Sequence, residues 1–251
     1  MKASGIFNHE NAFRQNGLDS DGKKFILTEE RLKNDSMEEE ITLIHCRRQN
    51  NDDSFYYKEI IPKRKLVLHY TMGYLRGDIA ALTRNRVSVA FVIARNGLVY
   101  QLFDPKYWSY HLGPGASGGN TLMSKESIGI ELSNIGPLIR KGNQLVTTYS
   151  DLDVYCSLDE NKYFHYLTQP YRNFSYYATF TEEQYISLRS LLMYLLSTFN
   201  IPKNVLPYDR RFDRLGHEQF RSYQGILSHV NCRQDKTDIG PAFVWDKLFE
   251  N

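Results

Sequence analysis

The sequence predicts an α/β (α+β) fold, and three observations predict it. Short apolar runs of strand character recur at residues 66–71, 87–94 and 127–133. The pair Asn96-Gly97 separates the second of these from another apolar run at residues 98–103. Asn-Gly readily adopts the positive backbone angles of a two-residue hairpin turn, so those two runs should lie antiparallel. Beginning at Thr181, apolar residues recur at three and four residue intervals, the period of a helix buried along one face.

Taken in order, residues 1–60 mix polar and charged residues with brief apolar breaks, among them the acidic run Glu38-Glu39-Glu40. Phe25-Ile26-Leu27 and Ile41-Thr42-Leu43-Ile44 have strand character, so this part reads as an N-terminal extension or a small appended module of unknown role. It contains no chemical motif. Lys63-Arg64-Lys65 reads as the solvated start of a strand, and residues 61–251 as the main domain. Leu66-Val67-Leu68-His69-Tyr70-Thr71 is a buried strand, and residues 75–82 are helical in pattern. Residues 113–119 hold four glycines and a proline and make a loop.

In Ser127-Ile128-Gly129-Ile130-Glu131-Leu132-Ser133, alternation places Ile128, Ile130 and Leu132 on one face. Ser127, Gly129, Glu131 and Ser133 share the other, a small and polar face with room for a substrate around Glu131. Residues 141–180 hold tyrosines 149, 155, 163, 166, 171, 176 and 177 with few aliphatics. They read as an elaborated loop or small subdomain rather than core. A local packing cluster is the first explanation, and saccharide stacking or a protein contact the second.

Thr181 with Gln184 forms a capping box, and Tyr185, Leu188, Leu192, Leu195 and Phe199 form one stripe. Asn200-Ile201-Pro202 ends that helix. Residues 241–249 predict a further short helix opened by Pro241.

The chain has 31 basic and 29 acidic residues, too even a balance to argue for nucleic acid. Cys46, Cys156 and Cys232 are few and scattered, with no Cys-x-x-Cys spacing, which fits a reducing compartment. The N-terminus lacks an apolar run of signal-peptide length, and no segment approaches a membrane span. The expectation is either synthesis as a soluble protein in the cytoplasm or a processed segment ahead of this sequence.

The stretch from Ser228 to Trp245 gathers an imidazole, an ammonium and a carboxylate before a Gly240-Pro241 break. His229 can offer a metal a neutral nitrogen and Asp238 an oxygen. A catalytic zinc takes three protein ligands and keeps one position open. His69 is the candidate third ligand, because a polar ring in a buried strand needs a partner. The competing explanations are a satisfied structural histidine and a surface Lys236–Asp238 ion pair. A His-Glu-x-x-His metallopeptidase helix is excluded at His217-Glu218, where Arg221 stands in place of the second histidine.

Four segments carry a resemblance: Val67-Leu68-His69-Tyr70-Thr71, Tyr110-His111-Leu112-Gly113, Ser127-Ile128-Gly129-Ile130-Glu131-Leu132, and the ten residues from Lys236 to Trp245. In this order they resemble the zinc-dependent N-acetylmuramoyl-L-alanine amidases of the amidase-2 family. That family takes in AmpD-like enzymes, phage lysozyme-type amidases and peptidoglycan recognition proteins. The likeness covers roughly residues 63–249.

It implies a mixed central β-sheet flanked by helices, with one zinc per chain on His69, His229 and Asp238. It also implies that Glu131 handles the proton of the attacking water and that Lys236 stabilises the developing oxyanion. His111 is then a residue on the substrate side of the cleft, while the loop from Pro114 to Glu126 has no close match in the family and offers Asn120 as a candidate substrate contact. Where many relatives carry a tyrosine or histidine, this chain reads Ser88-Val89-Ala90-Phe91, which leaves the proton work to Glu131. The expected activity is hydrolysis of the lactyl amide between N-acetylmuramic acid and L-alanine in peptidoglycan or muropeptides. If the chain is a phage-type lysin, it would act at the cell wall. The alternative is a non-catalytic peptidoglycan-binding protein on the same fold, against which the full set of ligands, Glu131 and Lys236 argue.

Overall fold

Every residue of Lys65–Tyr70 is buried, which for a strand means neighbours in the sheet and cover on both faces. The computed structural model describes residues 5–33 and 39–249. Residues 1–4, 34–38 and 250–251, which include the start of the N-terminus and Glu38 of the acidic run, lie outside the described residues.

The chain opens with α1 (Ile6–Asn16), β1 (Phe25–Leu32), β2 (Ile41–Arg48), β3 (Lys65–Tyr70), α2 (Leu75–Leu82), β4 (Phe91–Ile93) and β5 (Val99–Gln101). Next come α3 (Asn120–Glu126), β6 (Ser127–Leu132), β7 (Pro137–Lys141), β8 (Gln144–Thr147), β9 (Ser150–Ser157), β10 (Phe164–Tyr171) and β11 (Phe174–Ala178). It closes with α4 (Glu182–Thr198), α5 (His217–Ser222) and β12 (Gly225–Ser228). No helix among the described residues is long and apolar enough to cross a membrane.

Seven strands form a central mixed sheet in the order β1-β2-β5-β4-β6-β3-β12. Strands β12, β3, β6 and β4 run parallel, whereas the Asn96-Gly97 turn returns β5 antiparallel to β4. Gly97 has φ of 81°, and a Cβ there would meet the Glu183 carbonyl oxygen at 2.9 Å, so the turn needs glycine on both counts.

One face of the sheet presents Leu66, Leu68, Ile128, Ile130 and Leu132 to the same core as Leu188, Leu192 and Leu195 of α4. Each such fully buried side chain contributes about 1.5–3 kcal/mol over an exposed one. The capping box at Thr181 and Gln184 forms as expected, and Gln184 also donates to the Ile93 and Ser133 carbonyls, pinning the helix start to the sheet. On the other face Val67 packs with Leu112, Met123, Phe220 and Leu227. The alternation read at residues 127–133 is thus the alternation observed.

Several expectations are corrected. Lys63 and Lys65 are buried rather than solvated, because β3 is an inner strand. Lys65 Nζ lies 3.5 Å from the Arg221 carbonyl oxygen, 3.9 Å from Glu126 and 5.8 Å from the centre of the Phe220 ring. Burial pulls the Lys63 pKa down to about 7 and that of Lys65 to about 8.

The run at residues 87–94 holds only three strand residues, Phe91–Ile93. Residues 241–249 form no α-helix, but a single 3-10 turn at Trp245–Leu248. The tyrosine-rich stretch is organised as a second, five-stranded antiparallel sheet, β10-β11-β7-β8-β9. Tyr155 and Tyr177 are fully buried, so they do belong to the core.

Residues 5–60 are woven into the main sheet. β2 pairs parallel with β5, β1 pairs antiparallel with β2, and Phe13 of α1 lies edge to face on Tyr100. The boundary expected near residue 60 coincides with no break in the sheet or the core.

Candidate metal centre

His69 stands near the C-terminal end of β3, directly beside Glu131 of β6 in the parallel register. His229 follows β12, the strand on the other side of β3, at the start of a 3-10 turn. Asp238 comes in from the loop beyond it, where its backbone carbonyl accepts from Val230 N at 2.8 Å. Side chains 160 positions apart meet because β12 and β3 are neighbours.

The donor atoms converge closely. His69 Nδ1 and His229 Nδ1 are 3.0 Å apart, and Asp238 Oδ2 lies 3.2 Å from the first and 2.9 Å from the second. All three side chains are buried. Ligand atoms at zinc distances and tetrahedral angles stand about 3.3 Å apart, so this triangle is close to the size a zinc ion requires.

The protons of the two rings can be placed from their other contacts. His229 Nε2 is 3.0 Å from the Leu112 carbonyl oxygen, which only accepts, so Nε2 carries a proton, and in a neutral ring Nδ1 keeps a lone pair. His69 Nε2 faces His111 Nδ1 at 3.0 Å. Burial, and then the neighbouring His229, lower the His69 pKa to about 4, so the ring is neutral at neutral pH.

Asp238 is buried, which by itself would raise its pKa. When the His229 ring is protonated, its charge and hydrogen bond, with the contact to His69, outweigh that and hold Asp238 well below the usual carboxylate range. With both rings neutral, two imidazoles and a carboxylate aim electron pairs at one point, an arrangement that favours a cation. A hydrogen bond of 2.5 Å from Tyr70 Oη to Thr237 Oγ1 ties the residue after one donor to the residue before another.

Glu131 is half-buried, and its Oε2 has no hydrogen-bond partner among the described residues. Burial raises its pKa well above the ordinary value, with Asp238 and Asp78 adding to the rise and Lys236 opposing it. Lys236 is itself half-buried, and its charge acts on both Glu131 and His69.

Two expected substrate contacts are engaged elsewhere. His111 holds His69 with one ring nitrogen and Ser127 Oγ, at 2.8 Å, with the other, so neither nitrogen is left for a substrate. Asn120 opens α3, in what reads from sequence as a loop, and its Oδ1 accepts from Ser124 Oγ at 3.2 Å. The room expected beside Ser127 and Gly129 is filled by the same His111 ring. Only Glu131 remains on the stretch of that face bordering the donors.

Sequence reasoning missed Ser127, the Leu112 carbonyl and Thr237 as supports of the donor set. Ser127 alone carried a signal, a hydroxyl two residues from a glycine on the face that Glu131 shares. His217, in the failed peptidase motif, accepts from Gly118 N through Nδ1 and is not among the three clustered donors.

The amidase-2 family model, described as N-acetylmuramoyl-L-alanine amidase, matches residues 59–241. Among curated proteins, none matches the sequence. Solved structures similar to the chain include the N-acetylmuramyl-L-alanine amidase AmiD from E. coli, in complex with the substrate anhydro-N-acetylmuramic acid-L-Ala-D-gamma-Glu-L-Lys. It is 22% identical with a TM-score of 0.48, over 76% of this chain and 58% of that one. AmpDH3 from Pseudomonas aeruginosa is 19% identical with a TM-score of 0.45, over 76% of this chain and 60% of that one. The amidase LysC from Clostridium intestinale is 14% identical with a TM-score of 0.40, over 77% of this chain and 89% of that one. The chain spans about three fifths of the length of the first two.

Proposed function

Since the chain belongs to the N-acetylmuramoyl-L-alanine amidase family, we propose that it hydrolyses the amide bond between the lactyl group of N-acetylmuramic acid and L-alanine, in peptidoglycan or muropeptides. We further propose one zinc ion per chain, held by His69, His229 and Asp238. The observation that carries this reading is the meeting of two imidazole nitrogens and a carboxylate oxygen within 3.2 Å of one another.

A zinc ion held there would supply Lewis acidity to a carbonyl and make water acidic near neutral pH. The remaining chemistry falls to the chain. Glu131 borders the donor set from the adjacent strand, and in its ionised form the unpartnered Oε2 can accept a proton from an attacking water. The water oxygen bonds to the amide carbon and the carbon–nitrogen bond breaks. The proton taken by Glu131 passes to the departing nitrogen and the second water proton follows from the new acid, giving a lactyl carboxylate and an alanine ammonium group. Lys236 offers a fixed positive charge to the carbonyl oxygen as it becomes negative, work that such donors do best in a partly desolvated site.

The test is incubation of zinc-loaded protein with purified sacculi and, separately, with soluble muropeptides. The expected products are new alanine amino termini with the glycan chains uncut. Binding to sacculi with no release of peptide from either substrate would overturn the enzyme reading in favour of a recognition protein. The relative rates on the two substrates would tell a wall-degrading enzyme from one that processes fragments.

A further inference from the structure

His69 can serve as a ligand through Nδ1 only if its one ring proton sits on Nε2, and a chain of groups behind it enforces that placement. Ser127 Oγ lies 2.6 Å from the Met123 carbonyl oxygen. A carbonyl cannot donate, so the hydroxyl proton points at Met123 and the oxygen's lone pairs face the other way. His111 Nε2, 2.8 Å from that oxygen, must then donate to it. A neutral ring that donates through Nε2 accepts through Nδ1, and the atom facing His111 Nδ1 at 3.0 Å is His69 Nε2. The direction is set at every link by a main-chain carbonyl in the helix before β6.

The surroundings are shaped for the ring. Gly129 lies between Ser127 and Glu131 on the same face, and a Cβ there would meet Val89 Cγ1 at 2.7 Å and His111 Nδ1 at 3.0 Å. A side chain at 129 would therefore push His111 off its seat. The two rings meet edge to face, 5.2 Å between centres and 79° between planes.

We propose that His111 is a positioning residue, and that the sequence Met123 carbonyl, Ser127 hydroxyl, His111 imidazole locks His69 in the tautomer that presents a bare Nδ1 to a zinc ion. This rests on His69 being a ligand, as proposed above, and replaces the expected contact of His111 with substrate. His229 reaches the same state through one carbonyl, so the two ligands are set independently.

The experiment compares His111→Gln, which keeps an acceptor for His69 Nε2, with His111→Leu, of similar size but with no acceptor. Zinc affinity of the metal-free proteins is measured by competition with a chromophoric chelator, and the His69 tautomer by nitrogen-15 NMR of the metal-free protein. The leucine variant should lose about 10- to 100-fold in zinc affinity, the range found when such supporting partners are removed. Part of its His69 population should carry the proton on Nδ1. The glutamine variant should stay within about threefold of wild type, an order-of-magnitude allowance for a kept hydrogen bond.

Equal losses in the two variants would mean that His111 only fills space, and no loss in either would mean that it does nothing for His69. Either result overturns the proposal. Should both substitutions prevent folding, Ser127→Ala decides: the His111 and His69 signals should report mixed tautomers, and an unchanged spectrum overturns the proposal. Failure of wild type itself to bind zinc would instead sink the reading of His69, His229 and Asp238 as a metal site.

Discussion

His69 Nδ1 and His229 Nδ1 face each other at 3.0 Å, and the far nitrogen of each ring has its own partner, His111 Nδ1 for one and the Leu112 carbonyl for the other. Two lone pairs at that distance, with the Asp238 carboxylate beside them, repel unless a positive charge lies among them. A divalent cation placed among them would attract all three groups at once.

Purified protein is accordingly expected to carry about one zinc per chain, the stoichiometry of a single three-ligand site. Elemental analysis measures it. His229→Ala should empty the site. Free zinc at 1,000 times its dissociation constant should raise the unfolding free energy of wild type by about 4 kcal/mol and leave the variant unmoved.

Glu131→Gln should keep zinc and lose turnover. The amide retains size and polarity but cannot take a proton, so peptide release should fall by roughly 100- to 10,000-fold, the usual worth of a positioned acid–base group. Full activity in this variant would remove Glu131 from the mechanism.

Lys236→Met should lower kcat by about 100- to 1,000-fold, the typical cost of one oxyanion donor, with zinc content and KM little changed. A rise in KM alone would place Lys236 in substrate binding instead.

Glu10 gives a prediction about pH, remote from the donors. Its carboxylate accepts from Arg95 N at 2.9 Å and Asn96 N at 3.2 Å, holding α1 to the hairpin turn. Burial raises its pKa from 4.5 to about 7, against the opposing hydrogen bonds and charge of Arg95. The folded chain thus keeps a proton that the unfolded chain has shed between those values. Its contribution is full below pH 4.5 and is lost as pH rises through about 7. The shift corresponds to about 3 kcal/mol. Urea unfolding at pH 5 and pH 8 should show a difference between the two pH values that shrinks by about that amount in Glu10→Gln.

Much of this was legible in the sequence for reasons that are local. The alternation around Glu131 names its face, the Thr181 and Gln184 pair names a helix start, and a histidine ending an apolar strand needs an explanation. What was hidden depends on distant partners. Nothing near Ile41 says that β2 will lie beside β5, and nothing near Lys65 says that α3 and α5 will cover it. In β10 mid-strand residues face solvent on both sides, so the apolar alternation that reveals a half-buried strand is faint. The part played by His111 hangs on a hydroxyl sixteen positions away.

The parallel pairing of Leu43, Ile44 and His45 with Val99, Tyr100 and Gln101 bears on any shortened form of the protein. A chain cut to begin at residue 59, where the family match begins, would leave the amides and carbonyls along one side of β5 bare and take the cover of Phe13 off Tyr100. Raw sheet margins of that kind recruit strands from other molecules. The fragment should therefore clump in gel filtration while keeping His69, His229 and Asp238.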